Sequence, residues 1–145
     1  MRTKNIVFAV IFLFMTIVCV NANEIIEIRE RMFLTHINEI YLNAGDYLGK
    51  TIKLEGIFKI EQYEKESVFF VLRYVPDGCC GGRGFAGFEV RTAANNLSRQ
   101  IPANDSWVEA VGVLREYRAG LNKYLYLELS SLNVLNRRGA EFVTR

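Results

Sequence analysis

Thr51-Ile52-Lys53-Leu54-Glu55-Gly56-Ile57-Phe58-Lys59-Ile60 is the stretch on which the fold class turns. Ile52, Leu54, Phe58 and Ile60 fall on one side of a two-residue period, and Lys53, Glu55 and Lys59 on the other. That alternation predicts a half-buried strand. Gly56 in its middle predicts a bulge or tight bend, since a residue without a side chain lets another backbone come close.

The same period continues downstream. Val68 to Val75 is apolar on both faces apart from Arg73, which predicts a central strand. Phe85 to Arg91 reads as a third strand, Ser106 to Tyr117 as a fourth and Lys123 to Leu135 as a fifth, the last two joined by the turn Ala119-Gly120-Leu121-Asn122. Between the third and fourth strands, Ala93, Ala94, Leu97 and Ile101 predict a short helix closed by Pro102. Upstream the period is 3.6. Phe33, Ile37, Ile40 and Tyr41 form one stripe of a helix over 31–44, with Gly45 as its stop, and Glu24 to Arg29 alternates weakly as a short strand. The expected fold is therefore mainly β: a five-stranded OB-like barrel with an N-terminal helix and a short helix between strands three and four. Gly56 and Gly112 stand inside long strands, where a small barrel must bend. An open sandwich or an SH3-like barrel is the alternative architecture.

Arg2 and Lys4 precede an apolar run, Ile6 to Val20, broken only by Thr16, and Val20-Asn21-Ala22 precedes a polar start at Asn23-Glu24. This is the layout of a secretory signal peptide over 1–22, and it predicts export to the periplasm or the extracellular space. The run is shorter than the ~20 residues that span a bilayer, although an uncleaved anchor would hold the chain to the envelope. The remaining segments are 23–49 (strand and helix), 50–136 (the barrel) and 137–145 (a polar tail). The full chain carries 18 Lys+Arg against 16 Asp+Glu. Loss of Arg2 and Lys4 makes the two signs equal, which argues against a nucleic-acid partner, whose phosphates demand a basic surplus.

Four stretches together resemble the C-terminal region of the YcgQ-like family of bacterial membrane proteins. They are Phe33 to Tyr41 with Tyr47-Leu48-Gly49-Lys50-Thr51-Ile52 and Glu55-Gly56; the strand Phe69 to Arg73; the pair Cys79-Cys80; and Trp107-Val108-Glu109 with Val111-Gly112 after Asp105. The resemblance covers about residues 30–135. It implies an extracytoplasmic domain that works beside a permease or another membrane protein of the envelope. Two departures stand out. A leader occupies the place of the family's membrane helices, and Gly81-Gly82-Arg83 replaces the small and acidic residues that follow the cysteines in the family.

Val75-Pro76-Asp77-Gly78-Cys79-Cys80-Gly81-Gly82-Arg83-Gly84 holds the only two of the three cysteines that lie outside the leader, Cys19 being the third. Adjacent thiolates suit Zn²⁺ or another soft metal, with a homodimer able to supply four sulfurs. His36, Asp77 and Glu89 are further ligand candidates, none at a diagnostic spacing. A disulfide between neighbours would instead be strained and oxidising, a thiol-redox switch. The plain structural reading is two small apolar side chains on a packed loop.

Enzyme chemistry finds no foothold. His36 is the single histidine, no nucleophile–base spacing stands out, and the Gly-rich loop lacks the Lys-Ser/Thr ending of a phosphate loop. Phe69, Phe70, Tyr74, Phe85 and Phe88 lie on strands two and three, the face on which OB-folds bind ligands. Arg73, Asp77, Gly78, Arg83 and Phe85 are the expected ligand contacts, and Cys79 and Cys80 the expected metal ligands. The expectation is a non-enzymatic binding or accessory module for a sugar or peptide, working through the Gly-rich cysteine loop; the alternative is a metal- or thiol-redox protein.

Overall fold

The computed structural model describes residues 24–63, 66–76, 83–92 and 101–143. Its elements are β1 (Ile25–Ile28), a 3-10 turn (Glu30–Met32), α1 (Phe33–Leu42), α2 (Ala44–Tyr47), β2 (Thr51–Gln62), β3 (Ser67–Pro76), β4 (Arg83–Thr92), β5 (Trp107–Ala119) and β6 (Asn122–Val134). The fold is mainly β with two short helices. Its sheet has six strands, not the five expected, in the order β1-β2-β3-β4-β6-β5. The additional strand is β1, which runs parallel to β2 with Ile25 opposite Thr51 and Ile28 opposite Leu54. The helix expected between the third and fourth strands falls largely on 93–100, outside the described residues, as do the leader and residues 77–82.

Pairing does not stop at the end of that order. β2 meets β5 through Thr51–Ile57 and β3 through Ile57–Gln62. β4 runs parallel to β6, and β6 antiparallel to β5, so the pairings return to β2. β2 changes partners along its length, and the glycines stand at the crowded points. A Cβ on Gly56 would lie 2.7 Å from the Leu72 carbonyl oxygen. One on Gly112 would lie 2.7 Å from that of Glu128, where the β5–β6 register shifts.

The core forms between the strands and α1. Ile52, Leu54, Phe58, Val71, Phe88, Val90, Val108, Leu114 and Leu127 are buried together with Phe33, Ile37 and Ile40 of the helix. The helical stripe read from the sequence is thus the packed face, with one difference. Tyr41 is half exposed; its ring stacks on Phe88 with centroids 5.5 Å apart, and its hydroxyl donates to the Gly87 carbonyl at 3.0 Å. The segment read as a polar tail runs along β3. The Tyr74 N–H donates to the Glu141 carbonyl, the Val143 N–H donates to the Tyr74 carbonyl, and Val143 is buried.

Candidate functional site

Arg73 was expected to project toward a ligand. It is 2% exposed, and its donors are engaged within the fold. The β1–β2 ladder ends at Leu54 and the β2–β3 ladder begins at Ile57, so Glu55 lies at a change of partner. Arg73 Nε donates to the Glu55 carbonyl at 2.9 Å and Nη1 to the Ala140 carbonyl at 3.2 Å. Nη1 also lies 3.5 Å from Glu30 Oε2. The guanidinium sits over the Phe33 and Trp107 rings, 4.7 and 4.8 Å from their centres. Burial pushes its pKa down, opposed by Glu30. Arg73 thus clamps the entry turn and the C-terminal segment onto the sheet. A cleft of roughly 320 Å³ beside it carries both signs of charge, with Lys53 and Arg29 facing Glu27 and Glu30.

The other expected ligand contacts gather around 77–82. Asp77, Gly78, Cys79 and Cys80 lie outside the described residues. Pro76 and Arg83 are opposite each other at the root of that segment. Two positions inward, Phe85 is opposite Tyr74 across β3–β4 and is 65% exposed. The Tyr74 ring in turn meets Phe142 of the C-terminal segment with centroids 5.5 Å apart and planes tilted by 35°, and Phe142 is also more than half exposed. Phe85, Tyr74 and Phe142 therefore form a shelf of three rings near the β3 and β4 ends that border residues 77–82. Of the remaining expected aromatics, Phe88 is buried, Phe69 packs on the core and stacks on Phe58, and Phe70 is half-buried outside the core cluster.

A second cluster escaped the sequence reading. Glu89, a metal-ligand candidate by residue type, is buried with both carboxylate oxygens occupied. Oε1 accepts from Arg91 Nε at 2.5 Å and Oε2 from the Tyr117 hydroxyl at 2.8 Å. The Arg91 guanidinium lies over Tyr117 and Tyr126. Partial burial works against the charge of Arg91, but the bond to Glu89 prevails and its pKa is raised. Burial first, then the bond to Glu89, raises the pKa of Tyr117. Burial of the hydroxyl, aided by the Glu89 charge, pushes Tyr41 up to about 12. The ring of Tyr41 is half exposed while its oxygen is pressed against Gly87, so desolvation acts on the end that titrates. Beside Glu89 and Arg91 a groove of roughly 420 Å³ crosses β3 and β4, with Ser67, Phe69 and Thr92 in its walls.

Among the described residues no group of three or more His, Cys, Asp or Glu side chains is placed to hold a metal ion. Half-buried His36 has its Nδ1 buried without a hydrogen-bond partner. No described helix is long and apolar enough to cross a membrane.

The chain belongs to the family defined by the DUF1980 C-terminal domain, whose model matches residues 14–143. No curated protein matches it.

Proposed function

We propose that the chain is an extracytoplasmic, non-enzymatic binding module, an OB-like barrel that docks on a membrane protein of the cell envelope. The docking surface is the Gly-rich cysteine segment with the aromatic shelf at its root. The ring of pairings from β2 through β3, β4, β6 and β5 back to β2, with its parallel β4–β6 step, supports the barrel reading. The YcgQ-like resemblance supports a permease as the partner.

The shelf is the observation that carries the reading. Single exposed apolar residues are ordinary, but contiguous exposed rings mark interaction surfaces. Aromatic side chains are also enriched where proteins bind one another. The framework behind the shelf is rigid, because Arg73 and the Tyr74 ladder bonds pin the C-terminal segment that supplies Phe142.

The test replaces Phe85 and Phe142 by Ser together and follows the protein in fractionated cells. Both side chains are more than half exposed, so the fold tolerates the change. Co-fractionation of the wild type with the envelope, and release of the folded variant, is the expected result. Equal retention of both proteins would remove the shelf from the docking surface.

A further inference from the structure

Arg91, Tyr117 and Tyr124 form a continuous stack on the β4–β6–β5 side of the sheet. The Arg91 guanidinium carbon lies 3.9 Å from the centre of the Tyr117 ring. Tyr124 lies against Tyr117 at 5.3 Å with the planes 23° apart. Tyr126 meets Tyr117 edge-on at 5.9 Å and approaches the Arg91 guanidinium at 4.8 Å. Tyr124 ends the stack with 43% of its surface exposed, close to the hairpin turn at Gly120-Leu121.

The charges on this side are matched. Arg91 pairs with Glu89, and Arg115 with Glu128 at 2.9 Å. Arg91 and Glu89 are held in place by each other and by the rings, and Arg115 and Glu128 by each other. They lie in adjoining strands, since Glu89 is the register partner of Tyr126 and Tyr126 that of Arg115. The surface therefore offers an open ring, fixed planar donors and acceptors, and no net charge.

We infer that this face is a second binding site, for the flat side of a neutral saccharide. A pyranose with equatorial hydroxyls presents an apolar C–H face that lies well on an aromatic ring. Each hydroxyl around its rim both donates and accepts, matching paired arginines and carboxylates. A polyanion would need an excess of cations, and the two pairs leave none. The site is separate from the aromatic shelf: none of Phe85, Tyr74 and Phe142 belongs to it.

The test titrates the full chain with cellotriose, and in parallel with chitotriose, while NMR follows the tyrosine ring resonances. Saturable shifts of Tyr124 with at least one of them are expected. Tyr124→Phe keeps the ring and binds as the wild type does. Tyr124→Ala, and Tyr124→Leu as a bulkier apolar check on the hairpin, weaken binding about tenfold, the worth of one aromatic contact. Phe85→Ser leaves saccharide binding unchanged, so this site and the docking surface fail independently. Absence of saturable shifts with both saccharides would overturn the inference. So would undiminished binding by both the alanine and leucine variants, or salt-sensitive binding of sodium polyphosphate in place of either sugar.

Discussion

Replacing Arg73 by Ala would remove the clamp that joins three parts of the fold. Two main-chain acceptors, the carbonyls of Glu55 and Ala140, lose their donor. An unsatisfied buried acceptor costs about 1–3 kcal/mol. The space between Phe33 and Trp107 also empties, adding a cavity. Two effects work the other way. Burial already depresses the arginine pKa, so deleting the charge recovers part of its desolvation cost. Glu30 is more than half exposed and returns to water rather than remaining as a buried lone charge. The balance is a loss of about 3 kcal/mol for Arg73→Ala. Met fills most of the volume but donates nothing, so Arg73→Met loses about 2 kcal/mol. Urea unfolding followed by the fluorescence of Trp107, the single and deeply buried tryptophan, reads both. With a slope of about 1–3 kcal/mol per molar for a domain this size, the alanine midpoint falls by about 1–3 M. A midpoint within about half a molar of the wild type would refute the clamp and return Arg73 to the ligand-facing role.

Further outcomes follow from the same geometry. Gly56→Ala places a methyl 2.7 Å from the Leu72 carbonyl and is expected to cost about 2–3 kcal/mol by chemical unfolding, whereas Gly45→Ala, with nothing within 4 Å, costs nothing. Tyr41 titrates near 12 when folded against an ordinary 10.0, so its contribution is whole below pH 10 and is lost as pH rises toward 12. Tyr41→Phe is accordingly less stable at neutral pH by about 1 kcal/mol but flatter across that alkaline window, as midpoints taken against pH will show. The native mass of the protein, purified without reductant or chelator, is expected to equal the metal-free chain with the Cys79 and Cys80 thiols reduced. An acid-labile excess of one metal ion would assign Cys79 and Cys80 as ligands.

The strands were legible because their signal is local. Ile52, Leu54 and Phe58 are buried as the alternation predicts, and Ile57, where β2 passes from the β5 ladder to the β3 ladder, is buried as well. Strand β1 was visible as a weak alternation, but its pairing with Thr51–Leu54 depends on a contact that closes across the intervening helix. Arg73 misled for a physical reason. A lone charge in an apolar strand resembles a functional group, yet the carbonyl it serves was orphaned by the partner change in β2, an event with no local trace. The cluster around Glu89 was equally hidden: Tyr117 lies 28 residues away, and each residue alone is an ordinary strand residue. Phe142 and Val143 form too short an apolar pair to announce a docked segment, although Val143 enters the core.

The most direct test of the docking account is a photo-crosslinking residue placed at Phe85 in the full chain within living cells. Leu121, fully exposed at the hairpin turn and away from the shelf, serves as the matched control. The account predicts one discrete adduct with an envelope membrane protein from position 85 and none from position 121. The same adducts from both positions, or none from position 85, would contradict it.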